Sequence, residues 1–405
     1  MRIPSGCSNH KKPVIIDKIK GLIFGAILGD SLGLATEGMT KKEVEEVYGQ
    51  GPIRFGMDDD QDNHVPFLRD SYRALFEDND FGDDSEQQLL VLQSIAENGG
   101  MFNYKDFAAR LKDYGINGLA GLNKRPIGLN PTTRAVLERP DFLENPHQAA
   151  AEVWRSRNTL RGANGALVRS AILGIPKFWD GTTVIENTTD SCRVTHPDPR
   201  CMISCVIVST LVARMLRGQD LEIEDELARD MSGSDSTMEE VESVTTFIDT
   251  LATDNTLMAL VRAVIETNKR ILTAPNTDPL FRSPETDVEQ TKLYYQQLLD
   301  HCLIDPITLD RLQLDKDDSK HTFKCLSASI YAFTREIPPG RETDHFKGIL
   351  MDLVMQGGEA DTNASVAGAL LGVRIGYGQL PSEWVIGLRR WEWLEDLVDD
   401  FCKLL

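Results

Sequence analysis

Two glycine stripes constrain the fold of this chain more than any other feature of its sequence. The first stripe consists of Gly21, Gly25, Gly29 and Gly33. Residues four apart lie near one face of a helix, and each glycine costs a helix about 1 kcal/mol relative to alanine. The second stripe consists of Gly368, Gly372 and Gly376. Such stripes predict close backbone packing, so we expect two glycine-striped helices deep in the core and near each other.

Periodicity elsewhere predicts an all-α protein. The helices are predicted over 14–35, 86–97, 104–113, 133–138, 147–156, 164–174, 182–190, 198–217, 238–251, 254–271, 289–301, 320–335, 343–356, 361–377 and 382–403. Alternating strands and repeats of 20 to 50 residues are missing from the pattern, and 38–82 resembles an irregular acidic connection. We expect one compact domain over 13–405, with a flexible tail at 1–12 and an insertion at 272–318.

Charge and cysteine usage exclude several classes of function. The chain has 405 residues with 43 Lys and Arg against 63 Asp and Glu, a net charge of -20. This field repels phosphate polyanions, so we expect no direct nucleic-acid binding. The longest apolar stretch, 21–35, is too short to span a bilayer, and no signal-peptide core precedes it. Seven scattered cysteines indicate reduced thiols, hence a cytoplasmic protein without a membrane partner.

Two predicted helices begin with clustered acidic residues. The sequence GDDS at 82–85 contains Asp83 and Asp84, and GGEADT at 357–362 contains Glu359, Asp361 and Thr362. Helix capping is the ordinary interpretation of one such cluster, but two adjacent aspartates exceed what one cap needs. Carboxylates that folding brings together are stable only when protonated or bridged by cations. Carboxylate and hydroxyl oxygens suit Mg²⁺ or Mn²⁺.

Two further elements have both a structural and a functional interpretation. Asp30 lies within the first glycine stripe, and a buried acid needs a partner; a structural hydrogen bond would be enough, and Glu37 alone is uninformative. Asn164 and Gly165 begin a predicted helix. Their backbone N–H groups would bind an anion there, or they form a simple capped loop.

The cysteines near residue 200 raise the alternative of zinc. The spacing C-x3-H-x4-C-x3-C is made by Cys192, His196, Cys201 and Cys205. The C-x2-C pairs of small zinc sites are missing, and a helix over 198–217 would bury Cys201 and Cys205 as small apolar residues. We expect His196, which precedes a proline, in a loop exposed to a cleft.

Together these motifs resemble the ADP-ribosylglycohydrolase family, the relatives of dinitrogenase reductase-activating glycohydrolase. The matching segments, in the family order, are GDSLGLATE at 29–37, GDDS at 82–85, NGALVR at 164–169, THPDP at 195–199 and GGEADT at 357–362. The resemblance covers roughly residues 18–380 without the insertion. It implies an orthogonal all-α bundle with two Mg²⁺ ions at the base of a cleft, and removal of ADP-ribose from arginine or serine side chains or related conjugates.

The resemblance also assigns roles to residues. It implies metal ligation by Asp83, Asp84, Glu359, Asp361 and Thr362, and catalytic roles for Glu37, Asp83, Asp84 and Asp361. It places Asn164, Gly165 and His196 along the ADP-ribose cleft, and the loop 118–133 where members carry a glycine-rich phosphate-binding loop.

Two positions depart from the family pattern. Gly82 stands where many members have a threonine, and Glu359 stands where most have an aspartate. These departures leave two alternatives open. One is a family member that binds ADP-ribose or has a structural role without turnover. The other is a hydrolase of a different ADP-ribose conjugate or a nucleoside.

Overall fold

The computed structural model describes residues 2–57, 63–122, 125–156, 162–218, 256–272, 288–316 and 318–405. Its α-helices are α1 (Lys12–Gly33), α2 (Lys41–Tyr48), α3 (Asp83–Glu97), α4 (Tyr104–Asn117), α5 (Pro131–Leu137), α6 (Pro146–Ser156), α7 (Gly181–Arg193), α8 (Pro199–Arg217), α9 (Thr256–Asn268), α10 (Val288–Cys302), α11 (Leu309–Leu312), α12 (Thr322–Phe333), α13 (Glu342–Val354), α14 (Ala360–Ile375), α15 (Ser382–Gly387) and α16 (Trp391–Cys402). Extended pairing within these ranges is limited to two isolated bridges. The all-α prediction is confirmed.

The glycine stripes of α1 and α14 face each other, as the sequence predicts. A Cβ added to Gly29 would lie 1.9 Å from the carbonyl oxygen of Ala364, and one added to Gly368 would lie 2.0 Å from that of Gly25. The backbones of the two helices are therefore in direct contact. Every residue from Gly21 to Gly33 is buried, so this pair forms the centre of the core on which the other elements pack.

Three segments differ from the predictions. Residues 164–174 form two short 3-10 helices, Leu167–Arg169 and Ala171–Gly174, rather than one α-helix. The predicted helix over 382–403 is divided into α15 and α16, with Arg390 in the left-handed region at a φ of 59°. The prediction missed α2, which begins with a complete capping box between Thr40 and Glu43. The helix predicted over 238–251 lies outside the described residues.

The N-terminal segment contacts the end of α8. The Ser8 hydroxyl donates to the carbonyl of Leu216 at 2.7 Å, and the Asn9 backbone N–H donates to that of Arg217 at 2.8 Å. The flexibility of residues 1–12 and the single-domain division of 13–405 stay predictions.

One helix of the described ranges, α8, is long and apolar enough to cross a membrane by length and composition alone. Of its most apolar 18-residue window, 94% is buried inside the protein. Core helices pass the same test of length and apolarity. Each of the seven cysteines lies in a described range, and none forms a disulfide.

Candidate active site

Backbone pairing between two turns sets the position of Glu37. The turn after α1 meets the turn before α14, where Gly38 N–H donates to the Gly358 carbonyl at 2.8 Å and Gly358 N–H donates to the Met39 carbonyl at 2.7 Å. Gly358 has a φ of 70°, and a Cβ there would lie 2.2 Å from the carbonyl oxygen of Leu314. Only glycine fits this position. The pairing brings Glu37 beside the acidic start of α14.

Asp30 caps α3 from a different helix. Its Oδ2 accepts from the backbone N–H of Gly82 at 3.1 Å, from that of Ser85 at 2.9 Å and from the Ser85 hydroxyl at 2.5 Å. The structural interpretation of Asp30 is confirmed. Because Asp30 performs the capping, Asp83 and Asp84 in the first turn of α3 need not cap their own helix and can act elsewhere.

The starts of α3 and α14 are in direct contact. The Thr362 hydroxyl donates to Oδ2 of Asp84 at 2.7 Å, and the Gln87 amide donates to Oδ2 of Asp83 at 3.0 Å. Asp361 accepts from the Thr362 backbone N–H at 2.6 Å. The structure therefore brings together the acidic residues that the sequence predicts from two distant segments.

Burial and mutual repulsion raise the pKa of several of these carboxyls. For Glu37, burial is the largest cause, followed by the charges of Asp361 and Glu359. Burial also dominates the raised pKa of Asp83, with Asp361 next. For Asp84, burial acts first and the charge of Asp83 second. Removing such charges from water is costly without a compensating cation.

Glu359 differs from the other carboxyls because it has a cationic partner. Its Oε1 lies 3.3 Å from Nζ of Lys320. Burial and the charge of Asp361 raise the pKa of Glu359, whereas Lys320 lowers it. One carboxyl of the cluster is thus compensated by an ammonium group from the protein itself.

The donor chemistry of the cluster fits hard divalent cations. Carboxylate and hydroxyl oxygens from three segments face one region, and Oε2 of Glu37 is buried without a hydrogen-bond donor in the described residues. As the side chains stand, however, no three His, Cys, Asp or Glu side chains of the described ranges are arranged around a single point. Metal binding would therefore require these side chains to move closer to a common point.

A buried arginine orders the predicted ligand-binding residues. Arg169, the last residue of the NGALVR segment, donates to Gln87 Oε1 at 2.9 Å, to the Gly165 carbonyl at 3.0 Å and to the Thr195 hydroxyl at 2.6 Å. Gln87 in turn donates to Asp83. Arg169 therefore links the carboxylate cluster to the NG turn.

His196 is buried, not exposed as predicted, with 3% of its surface accessible. Its Nδ1 lies 2.7 Å from the Thr195 hydroxyl, which also accepts from Arg169. Its Nε2 is buried without a partner in the described residues. Burial, and secondarily Arg169, lowers the pKa of His196 to about 3, so the ring is neutral near pH 7.

The ring of His196 packs against the NG turn. A Cβ added to Gly165 would lie 3.2 Å from His196 Nε2 and 3.3 Å from Asn130 Nδ2. Asn164 is buried as well. The structure thus groups the residues predicted to line the ligand cleft.

A cavity of about 650 Å³ opens beside Glu37. It is lined by Glu37, Gly38, Met39, Glu43, Glu46, Val47, Asp70, Tyr72, Arg73, Gly128 and Lys320. The loop 118–133 contributes Gly128, where a Cβ would lie 2.8 Å from Oδ1 of Asp83. The cavity and the carboxylate cluster are therefore adjacent.

The site also includes Tyr72, Lys320 and Gln87, which belong to none of the sequence motifs. Gln87 lies four residues after Asp83 on α3, and helical spacing could have revealed it. Tyr72 lies in the irregular connection 38–82, and Lys320 begins the predicted helix 320–335, where no motif marks it as a site residue. Only folding brings both to the cavity.

The cysteine cluster is not arranged as a zinc site. The Cys192 thiol donates to the His196 carbonyl and the Cys201 thiol to the Ala163 carbonyl, both at 3.1 Å. Cys201 and Cys205 are each 1% exposed, as predicted for small apolar core residues. Among the described residues no group of three metal-binding side chains includes them.

The protein is an all-α bundle with a carboxylate cluster beside a cleft. Comparison with known sequences identifies its family. The model described as ADP-ribosylglycohydrolase matches residues 11–405, so the chain belongs to that family. This membership supports an ADP-ribosyl hydrolase acting on ADP-ribosylated substrates.

Individual relatives are distant. The chain is 22% identical over 407 residues to ADP-ribosylhydrolase ARH3 of Xenopus tropicalis, covering 96% of this chain and 97% of the relative. It is 23% identical over 389 residues to an uncharacterized protein of Archaeoglobus fulgidus, covering 96% and 97%. ADP-ribosylarginine hydrolase Tri1 of Serratia proteamaculans matches at 22% over 209 residues, covering 51% and 50%.

A solved structure shares the fold. It is described as an ADP-ribosylglycohydrolase-related protein complex, superposes with a TM-score of 0.57 at 18% identity, and covers 97% of this chain and 99% of its own.

Proposed function

We propose that this protein is a Mg²⁺-dependent hydrolase that cleaves the glycosidic bond between ADP-ribose and an arginine or serine side chain, or a related conjugate, with water activated at two metal ions. The observation that carries this proposal is the meeting of acidic residues from three distant segments beside one cavity of about 650 Å³. Such a cavity falls within the usual size range of small-molecule sites. We also propose a cytoplasmic location, consistent with seven cysteines that form no disulfide.

The residues that would hold two Mg²⁺ ions, or Mn²⁺, are Asp83, Asp84, Glu359, Asp361 and Thr362. Bound divalent cations lower the pKa of coordinated water and stabilise developing negative charge. Asp84 and Thr362 are already joined by a hydrogen bond, so the two helix starts that supply the ligands are held in register before any ligand binds.

The protein's own groups would direct the reaction. In the net step the water oxygen bonds to the anomeric carbon and the glycosidic bond breaks. One water proton stays on the new hydroxyl group, and the other passes to the leaving nitrogen or oxygen. Glu37 lines the cavity, which supports a role for it as the general acid–base that would carry this proton. The Nε2 atom of neutral His196 and the NG turn would bind polar groups of ADP-ribose.

A second candidate function is ADP-ribose binding, or a structural role, without turnover. Two observations favour it. Gly82 supplies no side-chain oxygen at the start of α3, and Lys320 already pairs with Glu359. A protein of this kind would bind ADP-ribose and release none from a conjugate.

Release of ADP-ribose from arginine- and serine-modified peptides, with Mg²⁺, Mn²⁺ or EDTA, tests the proposal. We expect metal-dependent release from at least one peptide and a rate at least about 100-fold lower for Asp361→Asn. Asp344→Asn is the matched control, because that carboxylate is 64% exposed and pairs with Arg341 on the surface. Binding of ADP-ribose without release would support the second candidate instead.

A further inference from the structure

Lys320 is fixed beside the acidic cluster by its backbone. Its carbonyl accepts from the Asn164 N–H at 3.0 Å, and the Thr322 N–H donates to the Gly162 carbonyl at 2.9 Å. These bonds form the isolated bridge between residues 163 and 321. The start of α12 is therefore held against the NG turn, and the Cα of Lys320 has a defined position at the cavity.

The side chain of Lys320 enters the cluster from solvent. Its surface is 67% exposed, whereas that of its partner Glu359 is 11% exposed. The charge of Glu359, followed by its hydrogen bond and then by the charges of Glu37 and Asp361, raises the pKa of Lys320 against the opposing effect of burial. The aliphatic part of Lys320 is in water and only its ammonium group contacts the buried carboxylate of Glu359. This contact can therefore open without disturbing the core.

We propose that Lys320 is a resident counter-ion that competes with a divalent cation for Glu359. This inference rests on the proposed function because it concerns the same cation site. A metal bonded to Glu359 would have to displace the ammonium from the Oε1 contact and would lie close to its charge. Metal affinity therefore includes the work of opening this ion pair, and Glu359 ligates only when Lys320 has moved away.

The identity of residue 359 fits this competition. Glutamate is one methylene longer than the aspartate expected from the family pattern, and its carboxylate stands 3.3 Å from the ammonium. The longer side chain at position 359 is therefore the one that forms the ion pair with Lys320. A purely structural ion pair predicts no effect on metal affinity, whereas a competing one predicts a gain when the lysine is removed.

Titration of Mn²⁺ into the metal-free full-length chain by calorimetry tests the competition without measuring turnover. We expect Lys320→Met to bind Mn²⁺ at least roughly tenfold more tightly than the wild type, because the cation no longer has to displace an ammonium from Glu359. Lys316→Met is the matched control. Lys316 is 62% exposed and pairs with Asp315 at 2.9 Å, so its affinity should equal that of the wild type.

A double-mutant cycle shows whether the effect passes through Glu359. In a Glu359→Gln background, Lys320→Met should leave Mn²⁺ affinity unchanged. An equal gain in that background would overturn the inference, since it would reflect general charge removal.

Equal or weaker binding by Lys320→Met, or no binding by either protein, would also overturn it. Failure of the proposed function would appear separately, as absence of ADP-ribose release at saturating Mg²⁺ or Mn²⁺.

Discussion

The starts of α3 and α14 carry similar acidic residues, but the partners of these carboxylates differ between the two helices. At α3 the cap is Asp30 on α1, which accepts from Gly82 and Ser85. The aspartates there receive hydrogen bonds from neutral donors, Gln87 and Thr362. At α14 no side chain caps the helix, and the neighbouring Glu359 pairs with the charged side chain of Lys320.

The difference assigns separate tasks to the two halves of the site. The start of α3 is held in the core by the buried carboxylate of Asp30 and by the amide of Gln87. Changes in this half of the site should therefore alter stability as well as ligand binding. The α14 half carries a partly exposed ammonium, so changes there should alter charge balance more than folding. Both halves depend on the contact between α1 and α14.

The largest expected effect is loss of that contact. Gly29→Ala places a Cβ 1.9 Å from the carbonyl oxygen of Ala364 and 2.4 Å from its carbon, so the two backbones must move apart. We expect the free energy of unfolding, measured by urea denaturation, to fall by about 3 kcal/mol or more.

The matched control is Gly348→Ala on α13, where an added Cβ meets nothing within 4 Å. Alanine favours helix more than glycine does, so this variant should be unchanged or more stable by up to about 1 kcal/mol. A mild effect at Gly29, similar to that at Gly348, would contradict the direct backbone contact.

Substitution of the α3 cap should have the next largest effect. Asp30→Ala leaves the backbone N–H groups of Gly82 and Ser85 without their acceptor, and we expect a loss of about 2–3 kcal/mol in the free energy of unfolding. Glu359→Gln at the other helix start breaks only a partly exposed ion pair and should cost less than about 1 kcal/mol. Equal losses in urea denaturation would remove the distinction between the halves.

Asp84→Asn, measured in EDTA, should increase the free energy of unfolding, by less than Gly29→Ala and Asp30→Ala decrease it. The folded-state pKa of Asp84 is raised above its unfolded value, first by burial and then by Asp83. The stabilising contribution of such a group is present below the unfolded pKa and is lost as the pH rises through the folded pKa. The variant should therefore be more stable than the wild type at pH 7.5, by about 1 kcal/mol.

The gain from Asp84→Asn should shrink as the pH falls through the raised folded-state pKa of Asp84, because protonation removes the charge of the wild-type carboxyl. Thermal unfolding from pH 5 to 8 measures this trend. A gain that grows on acidification would contradict the raised pKa.

The sequence predicts the core contact and most of the acidic residues because each depends on a local pattern. Glycine at every fourth residue indicates a close helix pair, and paired carboxylates at helix starts indicate a shared site. The burial of His196 is not a local feature, since the Thr195 hydroxyl that contacts its ring is held by Arg169 from a separate segment.

The position of Lys320 at the site also could not be predicted from the sequence. It reaches the cluster only because residues 162–164 pair with 320–322, and no spacing records that pairing. The 3-10 geometry of 167–174 also depends on packing, because the segment carries an ordinary helical pattern.

The most direct test of a cation site shared by α3 and α14 is calorimetric titration of Mn²⁺ into the metal-free wild type, Asp84→Asn and Asp361→Asn. If the two helix starts form one cation site, both variants should bind at least about tenfold more weakly than the wild type. Wild-type affinity in either variant would contradict it, because one helix start would then take no part in binding the cation.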